Sequence, residues 1–438
     1  MHFLRAWNVS DGDVFAQTGV RAGETESTLG TNVPQGLQQQ MLAILRDGIL
    51  NPDNARHTWS HLDDPAPGGT PTFVDFSAAA VYPPVPYIPS AIGIRIGRTF
   101  GASAWMLILL ARLAELAVFI ALLTLAIRRL PSRAWILAVV ALMPVALFQA
   151  ATVSADAITN ALALLVIAEA LALTAEPVDG VPRGILIETI VATIALALCK
   201  QPYLLVAALL VFPAWRHRRQ IGIALGATVA VGGAFALTWT RWANDKYLAP
   251  NFLPPSLGGH ANYANNNVQP PEQLAYLRGH PFAFTGAVWR MITDHGVKIV
   301  HDLTAQVSYW HAPGVIAVLV GAGVVATVLL DAGPLPGGRA MRALALLLAF
   351  AGVVASLFLA YVGWNALRAP RIDGYQGRYL IVMLALVALV LVPDGATRSL
   401  RALDNVRARF GSRIPWLAGW SALMLLVVEI GILRHSYL

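Results

Sequence analysis

The chain has 438 residues, 57% of them hydrophobic and 13% charged, with 31 Lys and Arg against 24 Asp and Glu for a formal charge of +7. Soluble domains carry about 25% charged residues. This composition cannot cover a soluble surface, which excludes a cytosolic enzyme, a disordered chain and a nucleic-acid binder and predicts a polytopic membrane protein. The single cysteine, Cys199, permits no intrachain disulfide. Only Lys200, Lys246 and Lys298 are lysines, so each lysine stands out against an arginine background.

Residues 1–101 hold no apolar run long enough to span a bilayer. The stretch 1–36 is polar and turn-rich, whereas Leu37, Met41, Ile44 and Leu45 recur at helical spacing and predict an amphipathic helix over 37–50. His57 and His61 are four apart, a metal-site spacing on a helix, with Asp63 and Asp64 as further oxygen donors. The preferred reading there is a solvated loop, and no metal site is assigned.

A spanning helix needs about 20 mostly apolar residues. Ten windows approach that: 103–127, 135–150, 157–174, 185–199, 203–212, 221–239, 315–330, 343–362, 380–392 and 416–432. The fifth is bracketed by Pro202 and Pro213 and reads as a half-helix paired with the fourth. Arginines follow the first, fifth, seventh and ninth windows, at Arg128, Arg129, Arg133, Arg216, Arg218, Arg219, Arg339, Arg342 and the run from Arg398 to Arg413. Positive residues mark cytoplasmic loops. The fold class predicted is thus an all-α integral membrane protein of about ten transmembrane helices with two large outer loops, multi-pass in a bacterial inner membrane. Residues 1–101 form an outer region, 102–240 the first six spans, 241–312 an outer loop with interfacial helices, and 313–438 the last four spans.

Placing residues 1–101 outside without a leader predicts an upstream helix, with Met1 an internal methionine or a misplaced start. Translocation without a leader is the alternative. In the second outer loop, Pro270-Pro271-Glu272 suits a helix start, and the apolar residues from Leu274 to Ile292 predict helices at the interface. Trp289, Tyr309 and Trp310 fit an aromatic belt. No internal repeat is visible, which weakens an inverted-repeat transporter.

Ionisable groups at membrane depth are costly and so mark function by default. Arg112 and Glu115, three apart on the first span, read as a structural ion pair or a functional one. The outer ends gather Ser154-Ala155-Asp156, Lys200-Gln201-Pro202-Tyr203, and Arg368, Arg371, Gln376 and Arg378. Arginine and lysine suit phosphate, and an anionic ligand at the outer leaflet explains positive charge where topology favours little. Lys200, Tyr203, Arg371, Gln376, Arg378 and Arg112 are the candidate substrate-binding residues; interfacial snorkelling is the alternative for a lone basic side chain. Asp156 is a candidate base, or else a helix N-cap.

The runs Met1-His2-Phe3-Leu4-Arg5-Ala6, YPPVPYIPSAIG from Tyr82, ALMPVALFQAATVSADAITNAL from Ala141, CKQPY from Cys199 and YQGRYL from Tyr375 resemble a bacterial membrane-protein family, domain of unknown function 2142. That family is similar to the GT-C glycosyltransferases, which implies a GT-C-like fold, a polyprenyl-phosphate sugar donor and a glycan acceptor in contact with membrane lipids. An acidic pair ahead of the His-Phe motif, here His2-Phe3, would be catalytic in the resembled family; this chain starts at Met1 without it. His2 and Asp156 are accordingly the catalytic candidates, with Asp11 and Asp13 as unsupported substitutes. The expectation is a membrane glycosyltransferase with no nucleotide-binding loop and no cofactor, a divalent metal being allowed. A lipid-linked-glycan transporter or flippase, and a non-catalytic assembly partner, are the competing readings.

Overall fold

A computed structural model describes residues 1–20, 27–47, 52–178, 180–247, 268–307, 310–331, 333–391, 409 and 411–437. The arginine-rich stretch 392–408, Asp179 and Tyr309 lie outside the described residues. The chain is mainly helical. Among the described residues, four helices are long and apolar enough to cross a membrane: Ala104–Arg129, Asp156–Ala175, Arg218–Ala243 and Gly338–Gly363. Shorter apolar helices cover Gly314–Leu330, Gly377–Leu391 and Pro415–Val427.

The first hundred residues form a layer against one end of the bundle. Helix α1 (His2–Ser10) is followed by strands β1 (Gln17–Val20) and β2 (Ser27–Pro34), helix α2 (Gln35–Leu45), a 3₁₀ stretch Pro52–Asp63, strand β3 (Pro71–Asp75), and helices α3 (Ser77–Ala80) and α4 (Ile88–Thr99). The strands make one antiparallel sheet in the order β1-β2-β3, with Gly30 opposite Gln17 on one side and Asp75 on the other. Most described residues of the polar stretch 1–36 are therefore helix and strand, with a turn between Ser10 and Gln17, and the region of His61 is helical rather than a loop. Phe3, Trp7, Leu37, Phe76, Tyr87 and Ile94 form the layer's own core.

Helix α5 (Ala104–Arg129) opens with Ser103, whose Oγ accepts from the Met106 N–H at 3.3 Å, and closes on Arg128 and Arg129, cations suited to a helix C-terminus. Its first half packs closely on α4, where a Cβ on Gly93 would lie 2.4 Å from the Leu110 carbonyl oxygen. The predicted second span is broken. α6 (Ala134–Ala141) stops before Pro144, which lacks an N–H and forces Met143 to an extended φ −60, ψ 144 before α7 (Pro144–Ala150) resumes.

Helix α8 (Asp156–Ala175) is the centre of the bundle, and every residue from Asp156 to Thr174 is buried. α9 (Arg183–Ala197) packs beside it, and Gln201–Leu210 then runs on in 3₁₀ geometry into α10 (Val211–Arg216). The paired half-helix expected here is instead a full-length partner of α8: Lys200 meets Asp156 at one end, while at the other His217 bonds the Leu173 carbonyl (2.9 Å) and Arg216 that of Glu176 (3.3 Å). The 3₁₀ rise explains how so short a segment reaches. Ten residues at about 2.0 Å and six at about 1.5 Å cover roughly the 30 Å that α8 covers in α geometry.

The remaining helices are α11 (Ile223–Tyr247), α12 (Pro270–Gly279), α13 (Ala283–Ala305), α14 (Gly314–Leu330), α15 (Gly338–Gly363), α16 (Ile381–Leu391) and α17 (Ile414–Tyr437), with a short hairpin of β4 (Gln306–Val307) and β5 (Trp310–His311). α12 starts at Pro270 as expected, and Trp289 on α13 is exposed. The end of the bundle away from the sheet is tied by arginine. Arg129 forms a bidentate pair with Glu188 (2.7 and 2.9 Å), and Arg133 donates to the carbonyls of Gly333 and Leu389, closing the ends of α14 and α16.

Candidate functional site

The opposite end, beneath the sheet layer, holds the candidate site. Asp156 is the first residue of α8, whose N-cap, Ala155, makes no side-chain cap bond. Ser154 Oγ instead accepts the Asp156 N–H at 3.2 Å. The Asp156 carboxylate is thus free of capping duty, and it lies between two cations: Lys200 Nζ on Oδ1, and Arg378 Nε 3.2 Å from Oδ2. The side chains of Asp156 and Lys200 are only 9% and 12% exposed, against 28% for Arg378.

Each partner has a local cause. Lys200 sits in extended backbone (φ −104, ψ 117) between the end of α9 and Pro202, which stops α-helical continuation. Arg378 is the second residue of the turn Gly377–Leu380 that starts the α16 span. Gly377 is required there: a Cβ would come within 2.3 Å of the Leu303 nitrogen and 2.5 Å of the Ile299 oxygen, both backbone atoms of α13.

Tyrosines complete the walls. Lys200 Nζ lies 4.9 Å from the ring centre of Tyr82 and 5.5 Å from that of Tyr379, and the Arg378 guanidinium 5.4 Å from Tyr379, all cation–π distances. Tyr203 donates its hydroxyl to the Tyr379 carbonyl at 3.1 Å. His2 enters from α1, its Nδ1 2.7 Å from Tyr87 Oη and its ring stacked 5.9 Å from Tyr82. Burial, aided by the positive charges of the Met1 amino group, Lys200 and Arg378 and opposed by Asp156, pushes the His2 imidazole down to about 3. It is neutral at physiological pH.

Behind Asp156 sits a second acid. Glu115 of α5 is fully buried and accepts from Ser90 Oγ of α4 and from the Ser154 N–H at 3.2 Å. Its carboxyl therefore braces the turn that carries Asp156. Arg112, one turn earlier on α5, is half-buried.

Five expected residues come together: His2, Asp156, Lys200, Tyr203 and Arg378. Gln376 is half-buried two residues before Arg378, and its Oε1 has no hydrogen-bond partner among the described residues. Arg371 is held elsewhere, by Asp294 (3.0 Å) and Asp373 (2.9 Å). Arg368 places its guanidinium 5.4 Å from the Tyr276 ring. Asp11 pairs with Arg98 (2.5 Å), and Asp13 accepts from Asn8 (3.1 Å) and Gln17 (3.0 Å). Sequence reasoning missed Tyr82, Tyr87, Tyr379 and Ser90, although all four lie in the two tyrosine-rich runs that carry the family resemblance.

Among the described residues no group of three or more His, Cys, Asp and Glu is placed to hold a metal ion. His61 bridges Asp64 (2.8 Å) and Asp47 (3.0 Å) in the sheet layer; burial disfavours its charged form, but the two carboxylates outweigh this and raise its pKa.

The site is thus a buried carboxylate between two cations, walled by tyrosine, at one end of a helical bundle. This trio retains one positive charge. No curated protein and no solved structure matches the chain. The family described as predicted membrane protein (DUF2142) matches residues 1–387, across the sheet layer and the whole site. The chain belongs to this DUF2142 family of membrane proteins.

Proposed function

We propose that the protein is an inner-membrane glycosyltransferase of GT-C type, moving a sugar from a polyprenyl-phosphate donor to a cell-surface or lipid-linked glycan. One observation carries this reading: Lys200 and Arg378 converge on the single buried carboxylate of Asp156, leaving one surplus positive charge that a phosphate would neutralise. The arginine-tied end is cytoplasmic on this reading, and the site faces the outer leaflet.

The geometry suggests a sequence of events. Donor phosphate engages Lys200 and Arg378, which loosens their hold on Asp156 and restores its basicity. Asp156 then takes the proton of the acceptor hydroxyl as that oxygen attacks the anomeric carbon. The bond from that carbon to the phosphate oxygen breaks, its electron pair stays on the phosphate, and the two cations stabilise the charge. A single displacement inverts the anomeric centre. Neutral His2, fixed by Tyr87, is placed to orient rather than to remove a proton.

The test supplies membranes containing the protein with radiolabelled polyprenyl-phosphate sugars and an acceptor extract, and compares wild type with Lys200→Ala and Arg378→Ala. Label should reach acceptor with wild type only; no transfer by wild type from any donor ends the transferase reading. A flippase for the same lipid-linked glycan is the second reading, favoured by Glu169, a carboxylate fully buried within α8 toward the arginine-tied end. Movement of labelled lipid across proteoliposomes without transfer would select it.

A further inference from the structure

The geometry points to Asn160 as the residue that holds the hydroxyl-bearing headgroup of the lipid-linked ligand, one helical turn beyond the phosphate-binding pair. This deepens, and rests on, the anionic-lipid reading above. Asn160 stands four residues after Asp156 on α8, so the two share a face with Cβ atoms about 5–6 Å apart. Side chains on an α-helix tilt toward its N-terminus, which aims Asn160 back at the Asp156 end. Asn160 is 3% exposed, and its Oδ1 has no hydrogen-bond partner among the described residues.

An unpaired buried amide oxygen costs the fold stability, and leucine would fill a similar volume at no such cost. A ligand that donates hydrogen bonds would satisfy this oxygen, one helical turn from Asp156. The second unpaired oxygen near the site, Gln376 Oε1, is also an acceptor. Two cations together with two unpaired acceptors describe a bipartite ligand: an anion joined to a hydroxyl-rich group. A bare phosphate would satisfy only the cations.

The test measures Tm of the detergent-solubilised protein, titrated with a short-chain prenyl phosphate and with the same prenyl phosphate esterified to glucose. Wild type should bind the glucosyl lipid about tenfold more tightly than the bare phosphate, the worth of one good hydrogen bond. Asn160→Leu should bind both lipids equally while its ligand-free Tm is unchanged or higher; Asn160→Ala provides a smaller side chain should leucine not fit. Lys200→Ala should lose both lipids. If Asn160→Leu keeps the wild-type preference, or if wild type has none, Asn160 does not read the headgroup, and the phosphate site stands. If neither lipid stabilises wild type, the anionic-lipid reading falls and Asn160 falls with it.

Discussion

Substituting alanine at Gly377 tests how the site is built. The added Cβ would meet the Leu303 nitrogen at 2.3 Å, the Ile299 oxygen at 2.5 Å and the Leu303 Cα at 2.8 Å, all backbone atoms of α13. No rotamer change relieves a clash with backbone, so α13 and the Gly377 turn must separate by about 1 Å to reach ordinary contact, at about 1–3 kcal/mol for overpacking. Arg378 is the next residue. A shift of that size would stretch its 3.2 Å approach to Asp156 beyond ion-pair range, and misplacements of about 1 Å can cost about 100-fold in rate. The assay is thermal unfolding in detergent together with titration by a short-chain prenyl phosphate. The control is Gly296→Ala on the same α13, where the new Cβ would meet only Ile292 Cγ2 at an ordinary 3.7 Å; there helix propensity should raise stability by about 0.5–1 kcal/mol. Gly377→Ala should lower Tm and weaken prenyl-phosphate binding at least tenfold, as expected of a loss of about 1.4 kcal/mol or more. A variant with lowered Tm and wild-type binding would refute the claim that α13 positions Arg378. Unchanged values of both would refute the clash itself.

Three further outcomes follow from the site. Asp156→Asn should lower stability by up to about 3 kcal/mol, because it leaves two partly buried cations without their carboxylate; added prenyl phosphate should recover much of the lost Tm, while sugar transfer stays absent. The His2 imidazole, held near 3 by burial, should show no protonation between pH 5 and 8 in an NMR titration. Its folded pKa is below the unfolded 6.5, so its stability contribution is whole above pH 6.5 and is lost as pH falls from there toward 3; His2→Gln should flatten that part of the Tm profile. Arg371→Ala removes only two surface ion pairs, each worth about 0–1 kcal/mol, and should leave prenyl-phosphate binding unchanged.

Much of the site was legible in the sequence because polar residues beside apolar runs are expensive and few. Asp156, Lys200 and Arg378 each flank a hydrophobic window, and alternation of the windows puts all three at one end. What charge alone cannot show is the partner. Arg371 and Arg378 look alike in sequence, yet one meets surface aspartates and the other a buried one. The tyrosines were hidden by their versatility, since a Tyr near an apolar run also fits an interface. The 3₁₀ segment was misread because its length suits half a membrane at α-helical rise. The sheet escaped because Gln17–Val20 and Ser27–Pro34 lack the alternation of a half-buried strand.

That 3₁₀ segment also sets how the chain tolerates insertion and deletion. An α-helix that loses a residue shortens by about 1.5 Å and turns its remainder by about 100°, whereas a 3₁₀ helix shortens by about 2.0 Å and turns by about 120°. The run of Gln201–Leu210 and α10 is pinned at both ends, by Lys200 on Asp156 and by His217 on the Leu173 carbonyl. One residue fewer would draw these anchors together or force the segment still further from helical geometry. One residue more would let it relax toward the α form and slacken the lysine's reach. The number of residues between Lys200 and His217 is therefore as much a part of the site as the lysine.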